Sequence, residues 1–392
     1  MKRLGQKYVG TVGTVGTVGT VGQSLLTSPL DEVGVKALGD GSFLASLDIG
    51  FTVKRDNLTV WPGFIDVHCH GAVGVDVNSA DVDGLIRVGT FLASHGVTAW
   101  MPTLVPDSDE SYERVIGVID EVMSVQGEMA VAQIVGVHYE GVFAAHAMCG
   151  ALRPEFFKSG QWAVRGGRLP RLKRGVHMTT LAPEVEGGIE LIRLLVAEGW
   201  IVSIGHTAAD AATLDRAFAA GARHMTHFFN AMTGLHHREL GVAGWGLANR
   251  GMTFDIIADG VHVHREMLGV ACRAKTPERV SLISDSVAPT GLGDGEFDLW
   301  GEKITVRNGR TQNERGSIAG SVCTMLDCVH NMRSVGFADV DVEMMSSRNP
   351  ARLLGIDHDR GALELGMRAD IVGLAADGSI VFTMIGGVMV NS

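Results

Sequence analysis

The stretch WPGFIDVHCH, residues 61–70, decides how the rest of this chain is interpreted. The segment from Phe64 to Val67 is apolar and rich in β-forming residues, and Pro62-Gly63 breaks the chain before it, which predicts a buried strand. Because side chains alternate between the two faces of a strand, His68 and His70 point one way and Cys69 the other. Two imidazoles on one side of a strand end are suited to sharing a divalent metal. A His-X-His pair on its own is more often just two polar residues where a strand leaves the core, so the remaining sequence has to decide.

Length and charge limit the class of protein. The chain has 392 residues, of which 46% are hydrophobic, so it is long enough to bury a large core. This length fits two or three domains, or a single α/β barrel that takes up most of the chain. The formal net charge of −11 argues against a protein that binds nucleic acid or an anionic membrane, although a local basic pocket stays compatible with it.

The lack of a recognisable targeting signal and the cysteine usage favour a cytoplasmic enzyme. No apolar run approaches the roughly 20 residues of a membrane span, and no compact apolar stretch follows Lys2 and Arg3. We therefore expect neither a membrane protein nor a secreted one. The five cysteines are odd in number and lack zinc-finger spacing, which favours reduced thiols in the cytoplasm.

The first sixty residues differ from the rest. Between Gly10 and Gly22 a glycine recurs at every third position, as G-TVG-TVG-TVG-TVG. This run has no proline and is too short for collagen. Thr and Val favour strands while Gly loosens them, so we expect residues 1–22 to form an edge strand or a disordered lead. The stretch from Gly41 to Val60 has a weak pattern of strands, which would belong to a small β domain.

From Phe64 onward the pattern is regular, because short apolar runs rich in β-formers alternate with amphipathic stretches. The eight runs are Phe64–His70, Thr98–Leu104, Ile134–Glu140, His177–Ala182, Ile201–His206, His224–Phe228, Thr253–Ala258 and Ser281–Asp285. Helical periodicity is clearest in Asp83–His95, Gly188–Glu198 and Ala208–Ala220. Eight β/α alternations over roughly 220 residues predict an α/β fold, a (β/α)8 TIM barrel whose chemistry lies at the carboxyl ends of the strands.

Ionisable residues lie at or just after the end of almost every one of these runs. They are His68 and His70, His138 and Glu140, His206, His224 and His227, Asp259, His262 and His264, and Asp285. Each one alone is most simply a polar residue satisfied at a strand end. Together they place imidazoles and carboxylates around one rim of the barrel, and this predicts a metal-dependent hydrolase.

A set of longer motifs runs from about Trp61 to the C-terminus. They are PGFIDVHCHG, GVTAWMPTLV, GVHYEGVF, TLAPE, VSIGHTAAD, THFFNAM, ISDSVAPTG, GSIAGS, NPARLLG and GALELGMRADIVGL. With these motifs the chain resembles the N-acetylglucosamine-6-phosphate deacetylases of the amidohydrolase superfamily. The resemblance is most specific at HYEG, THFFNAM and the closing segment, and poor before residue 60. It implies a catalytic barrel over residues 61–360 and a small β-sandwich domain built from residues 1–60 and 361–392.

The resemblance also implies a metal site. Glu140, His206 and His227 match the ligands of the family's main metal, and one carboxylate with two imidazoles leaves a coordination position for water. His68 and His70 match the ligands of a second metal that only some members hold. We expect one or two divalent metals per subunit, with zinc as the first choice.

The remaining roles are likewise implied by the resemblance. Asp285 matches the catalytic aspartate that accepts the water proton and passes it to the leaving amine, and His262 matches a histidine at the acyl carbonyl. Asn230, Ala231 and Arg238 match positions near the sugar phosphate, the arginine reaching across a homodimer interface. The implied reaction converts N-acetylglucosamine 6-phosphate to glucosamine 6-phosphate and acetate.

Phosphate binding and substrate identity stay open at this level. The glycine-rich stretch Gly241–Gly251 matches no phosphate loop, so Arg238 is the best candidate, against the simpler view of a solvated arginine. Val142 stands where the family usually has proline. Leu152 replaces a histidine that normally helps to hold the sugar phosphate, and His146 in the same loop is a possible substitute. Cys149 is either a mobile-loop thiol or, more simply, a loop cysteine.

Three functions therefore compete. The first is the implied deacetylase, and the second keeps the chemistry with another N-acetylhexosamine phosphate or N-acyl amine. The third is a non-catalytic scaffold, which we would expect to have lost the metal-binding residues that this chain keeps.

Overall fold

The computed structural model describes residues 58–390 together with two short strands, Gly34–Ala37 and Phe43–Ser46, which pair antiparallel. The glycine repeat between Gly10 and Gly22 lies outside the described residues. Within the part of the chain that is described, no helix is both long and apolar enough to cross a membrane.

Eight parallel strands form the centre of the molecule, and each predicted run overlaps one of them. They are β1 (Phe64–Cys69), β2 (Val97–Leu104), β3 (Gly136–Phe143), β4 (Val176–Leu181), β5 (Ile201–Ile204), β6 (His224–Met225), β7 (Thr253–Ile257) and β8 (Val280–Ile283). β8 returns to β1, because the Asp285 amide donates to the His68 carbonyl at 3.0 Å and the His70 amide to the Ser286 carbonyl at 2.8 Å. The predicted TIM barrel is confirmed.

Helices cover the outside of this barrel. They are α1 (Val82–Ser94), α2 (Asp109–Val125), α3 (Gly160–Val164), α4 (Gly188–Ala197), α5 (Ala211–Ala220), α6 (Gly241–Ala248), α7 (Arg265–Lys275), α8 (Met325–Ser334), α9 (Asp339–Glu343) and α10 (Asn349–Leu354). A π-helical turn, Met344–Arg348, joins α9 to α10. The three predicted helices correspond to α1, α4 and α5. α5 begins later than predicted because the Asp210 carboxylate caps it, accepting from the Thr213 amide at 2.8 Å.

The barrel interior is apolar toward one end and polar toward the other. Ile65 and Val67 of β1 pack inside with Met101, and Ala351 and Leu354 of α10 close that apolar layer. Residues that face the opposite, carboxyl end of the strands are histidines, carboxylates and hydroxyls. The apolar layer therefore seals one end, and the chemistry is confined to the other.

Both ends of the described chain meet in a second, antiparallel sheet. Its strands are Leu58–Pro62, Ile371–Ala375, Ile380–Ile385 and Val388–Met389, and the first two pair directly. Val60, Ile371, Phe382 and Met384 form its apolar core. A small sheet built from both chain ends agrees with the sequence-based expectation, while the boundaries at residues 60 and 361 stay predictions.

A third sheet was not predicted. It lies between β8 and α8 and consists of the antiparallel strands Gly295–Leu299, Glu302–Arg307 and Arg310–Asn313. We call it the hairpin insert. Leu299, Ile304 and Val306 are buried, whereas several neighbouring positions are exposed. The insert brings the turn residue Trp300 to the rim of the barrel.

Candidate metal centre

Glu140, His206 and His227 converge at the carboxyl end of the barrel, and we call them the first cluster. Nε2 of His206 lies 3.1 Å and Nε2 of His227 lies 2.9 Å from Oε1 of Glu140, and the two nitrogens are 3.1 Å apart. All three side chains are buried. Zinc bonds of about 2.0–2.2 Å in a tetrahedron place ligand atoms roughly 3.3 Å apart, so this triangle fits three ligands of one metal.

His68, His70 and Asp285 form the second cluster. The two Nε2 atoms are 3.1 Å apart, and they lie 3.4 and 3.3 Å from Oδ1 of Asp285. Glu140 joins the clusters, because its Oε2 lies 3.2 Å from Nε2 of His70 while Oε1 belongs to the first cluster. The structure therefore brings all five predicted metal ligands and the predicted catalytic aspartate into one buried group.

In two of these histidines the contact of the outward-facing ring nitrogen shows that Nε2 faces the centre. Nδ1 of His206 lies 2.7 Å from the Met148 carbonyl, and Nδ1 of His70 lies 3.1 Å from the Thr103 carbonyl. A carbonyl only accepts, so each Nδ1 carries the proton and each Nε2 is free to coordinate. Converging lone pairs and carboxylates repel one another unless a cation or protons lie between them, so the residues fit a divalent metal.

The electrostatics of the metal-free protein agree with this interpretation. Burial alone would lower the pKa of His70, but Asp285 and Glu140 raise it to about 10. Burial likewise opposes protonation of His227, and Glu140 raises its pKa to about 9. Burial would raise the pKa of Glu140, but the surrounding imidazoles hold it well below its usual range. The centre thus keeps its carboxylates ionised and holds positive charge between them.

Three of these residues have left-handed backbone conformations, which are uncommon outside glycine. The φ angles are +49° at His206, +32° at His227 and +49° at Asp285. Such conformations persist only where the surroundings impose them, and they concentrate at functional sites. Each turns the chain sharply at a strand end and so directs its side chain into the centre.

Polar residues behind the first cluster impose this geometry, and sequence reasoning did not single them out. Asp255 on β7 is fully buried; its carboxylate accepts from the His227 amide and lies 3.0 Å from Nε2 of His224. Glu184 accepts from the Thr207 hydroxyl at 2.5 Å and from the Ala208 amide at 2.7 Å, which fixes the loop after His206. The motif TLAPE, which contains Glu184, was the available signal.

The second cluster is supported differently. Asp66 on β1 accepts from the Ser284 hydroxyl at 2.5 Å and from the His68 amide at 3.3 Å, so it ties β1 to β8. The ring of His138, neutral because burial lowers its pKa, contacts His68 edge-on at 4.7 Å. The indole of Trp300 contacts His70 at 5.2 Å.

The other predicted site residues lie in adjoining loops. His262 follows β7, and its Nδ1 lies 2.7 Å from the Asp259 carboxylate, which leaves Nε2 for other contacts. Asn230 donates its amide and its side chain to the His227 carbonyl at 2.9 and 3.2 Å. The Ala231 carbonyl accepts from the Thr207 amide at 3.1 Å, which connects the loop after His227 to the loop after His206. Arg238 is exposed in the loop before α6.

Leu152 lies in a buried apolar environment, unlike a side chain that binds a ligand. It is buried with Val105 and Ala144, and Trp300 packs against this group. His146 is exposed, with its ring beside Phe157. The leucine at this position, where the family resemblance implies a histidine, thus belongs to an apolar cluster under the hairpin insert.

A TIM barrel with imidazoles and carboxylates converging at its carboxyl end defines a metal-dependent hydrolase. The chain belongs to the Amidohydrolase family, whose sequence model matches residues 59–390. Among similar proteins, an N-acetylglucosamine-6-phosphate deacetylase of Bacillus subtilis is 34% identical over 83% of this chain and 83% of its own. An N-acetylgalactosamine-6-phosphate deacetylase of Escherichia coli O157:H7 is also 34% identical, over 86% of this chain and 89% of its own.

Solved structures agree with the fold. The N-acetylglucosamine-6-phosphate deacetylase of Thermotoga maritima superposes with a TM-score of 0.79 at 30% identity, over 91% of this chain and 94% of its own. A mutant of the Mycobacterium smegmatis deacetylase, in complex with N-acetyl-D-glucosamine-6-phosphate, gives a TM-score of 0.78 at 30% identity, over 90% and 92%.

Proposed function

We propose that this protein hydrolyses N-acetylglucosamine 6-phosphate to glucosamine 6-phosphate and acetate, as a cytoplasmic homodimer. The observation that carries the proposal is the joined pair of clusters, in which Asp285 lies beside two imidazoles and across from Glu140. The similarity to deacetylases over most of the chain supports the choice of an N-acetyl amino-sugar phosphate.

The metal we propose is zinc, held by the first cluster and, as a second ion, by His68 and His70. A bound divalent metal lowers the pKa of a coordinated water from about 15.7 toward 7 and polarises an acyl carbonyl. Glu140, His206 and His227 would hold it with one position open, because they supply three protein ligands. Imidazole and carboxylate donors suit zinc, although other divalent metals accept the same set.

Asp285 supplies the proton transfers in this proposal. Its carboxylate is held ionised: burial favours the neutral form, but the charges of His68 and His70 keep the pKa below its usual value. An ionised carboxylate is able to accept the proton of the attacking water and then deliver it to the departing amine. Because an amine leaves poorly unless protonated, one residue would serve as base and then as acid.

His262 would contact the acyl oxygen. The Asp259 carboxylate binds Nδ1 of His262, so Nε2 is the atom that faces other partners. The Asp259 carboxylate also accepts from the amides of Val261 and His262 at 2.9 and 2.8 Å, which fixes this loop. A preorganised donor of this kind stabilises developing charge by about 2.7–4 kcal/mol.

The sugar phosphate would be bound by Asn230, Ala231 and Arg238. Exposed Leu235 and Leu240 flank Arg238, at 60% and 44% exposure, and this supports burial of the loop against a second subunit. A guanidinium binds phosphate through two parallel hydrogen bonds, so the arginine would act on the phosphate of the partner's substrate.

A second candidate keeps the chemistry and changes the sugar. The similarity to the N-acetylgalactosamine-6-phosphate deacetylase is as high as that to the glucosamine-type enzyme, and Leu152 departs from the usual residue. The phosphates of N-acetylgalactosamine and other N-acetylhexosamines are therefore the alternatives. The non-catalytic scaffold is disfavoured because every ligand of both clusters is present and converges.

The test is acetate release by the metal-loaded full chain, with metal content measured in parallel. We expect turnover of N-acetylglucosamine 6-phosphate to exceed that of the galactosamine and mannosamine analogues and of the unphosphorylated sugar. Preference for another hexosamine phosphate would select the second candidate, and absence of turnover from all of them would restore the scaffold.

Arg238→Ala tests the phosphate contact. We expect KM for the phosphorylated substrate to rise at least tenfold, with kcat and the low activity on the unphosphorylated sugar unchanged, since a charge-assisted hydrogen bond contributes about 1.5–3 kcal/mol. Arg250→Ala, at another exposed arginine, is the matched control. Equal effects on both sugars would exclude a role in phosphate binding.

A further inference from the structure

Trp300 sits at the junction of the hairpin insert and the metal centre. It occupies the turn between the first two strands of the insert, Gly295–Leu299 and Glu302–Arg307, with φ of +54°. A left-handed conformation is unfavourable for a bulky residue and calls for a compensating contact. The contacts of the indole show what that compensation is.

The indole contacts the second cluster. The rings of Trp300 and His70 are 5.2 Å apart at an interplanar angle of 77°, an edge-to-face contact. The indole N–H donates to Oδ1 of Asp76 at 3.2 Å. Asp76 lies on the strand Val75–Asp76, which pairs with Gly71–Ala72 directly after His70. Trp300 thus contacts the ring of His70 and, through Asp76, also binds the short hairpin that follows His70.

The other side of the indole is apolar. Trp300 packs against the cluster of Val105, Ala144 and Leu152, and also against the cluster that contains Leu299. This apolar surface extends from the loop after β3 to the insert. The side chain of His70 is only 2% exposed and that of His68 is fully buried. The indole and its apolar neighbours therefore exclude water from the His70 side of the centre.

We propose that Trp300 is a positioning residue for a second divalent metal, which the second cluster binds through two imidazoles and a carboxylate. Trp300 fixes the His70 ring, whose Nδ1 is already bound to the Thr103 carbonyl, and shields the cluster from water. Outer residues that orient a metal-binding histidine typically change metal affinity by 10–100-fold. This inference rests on the proposed function for the metal itself, and it requires no particular substrate.

The experiment measures metal retention by the full-length, zinc-saturated protein. A chromogenic chelator is added in excess, and the zinc released is followed with time and counted per subunit. We expect the wild type to release two zinc ions in two phases, and the His68→Ala/His70→Ala double variant to lack one phase, which assigns that phase to the second cluster.

Substitutions at Trp300 then isolate its role. Trp300→Ala should speed the second-cluster phase 10–100-fold and leave the first-cluster phase unchanged. Trp300→Phe, which keeps an aromatic edge but loses the bond to Asp76, should fall between Trp300→Ala and the wild type. Trp245→Phe is the matched control, because the indole of Trp245 on α6 likewise donates to a carboxylate, that of Asp215 on α5, at 2.9 Å. This variant should release zinc like the wild type.

Three results would overturn the proposal. They are one zinc ion per wild-type subunit at saturation, an unchanged second-cluster phase in both Trp300 variants, or an equal acceleration of both phases, which indicates a merely structural role. The phenylalanine variant decides the matter if the alanine variant does not fold. Failure of the proposed function is a separate result, since it would appear as two bound zinc ions without acetate release.

Discussion

The two clusters of the metal centre have similar ligands but different supports. The first cluster is supported by the carboxylate of Asp255, inside the barrel behind His227, and by Glu184, an exposed residue of the loop after β4 that binds the loop after His206. The second cluster is held by Asp66 within the barrel but also by Trp300, which belongs to the hairpin insert outside it. Asp255 and Asp66 belong to strands of the barrel, whereas the position of Trp300 depends on the hairpin insert. We therefore expect binding of the first metal to depend on the barrel, and binding of the second metal to depend also on the hairpin insert.

A large loss of turnover is expected at Asp285, which lies in the second cluster and transfers the protons in the proposed function. Asp285→Asn keeps the size of the side chain and removes the base, so kcat should fall by about 10²–10⁴-fold. Zinc in the first cluster should remain, because Asp285 is not one of its ligands. Acetate release and elemental analysis test both statements, with Asp298→Asn, an exposed aspartate of the insert, as the control. Wild-type turnover by the Asp285→Asn variant would show that Asp285 does not transfer protons in the reaction.

Deleting ligands from each cluster compares the two directly. His206→Ala should abolish zinc binding to the first cluster and with it turnover, since two ligands are too few for a stable site. The double variant His68→Ala/His70→Ala should lower the zinc content toward one per subunit and leave measurable turnover. Elemental analysis after gel filtration provides the counts. A double variant without any zinc would show that the ranking of the clusters is reversed.

Changing the supporting carboxylates should have a smaller effect, and each change should weaken zinc binding to one of the two clusters. Asp255→Asn places an amide donor against the His227 amide or Nε2 of His224, and should weaken zinc binding to the first cluster by about 10–100-fold. Asp66→Asn should do the same to the second cluster through His68 and Ser284. Competition titrations with a zinc chelator measure both. If either variant weakens zinc binding to both clusters equally, the two clusters do not have separate supporting residues.

The sequence predicted the barrel and singled out the residues that converge in the two clusters, for physical reasons that their supporting residues do not share. A strand buried on both faces must be apolar, and a ligand must follow it directly, so both signals are local. Asp255 lies within the apolar run of β7, and its partner His227 is 28 residues away. Trp300 is 230 residues from His70, in a turn between short strands whose many exposed positions resemble a loop. Contacts at such separations arise only from tertiary packing, and no local pattern encodes them.

The smallest expected effect is on the number of protons released when zinc binds, which should depend on pH. In the metal-free protein the pKa of His227 is raised to about 9 and that of His70 to about 10. A metal requires the lone pair, so binding expels the proton, and affinity rises with pH until the imidazole is already neutral. At pH 7.5 zinc binding should release roughly one imidazole proton per cluster, in addition to the proton lost by zinc-bound water.

Zinc binding should release fewer protons as the pH rises past the raised pKa values of His227 and His70, because the imidazoles are then already neutral. Calorimetry of zinc binding in two buffers of different ionisation enthalpy counts the protons released. The double variant His68→Ala/His70→Ala isolates the first cluster, whose proton release should likewise fall as the pH rises past the pKa of His227. Release that is absent at pH 7.5 would mean that a cation-free centre keeps these imidazoles neutral. That result would contradict the charge balance between Glu140 and its histidines on which the centre's fit to a metal depends.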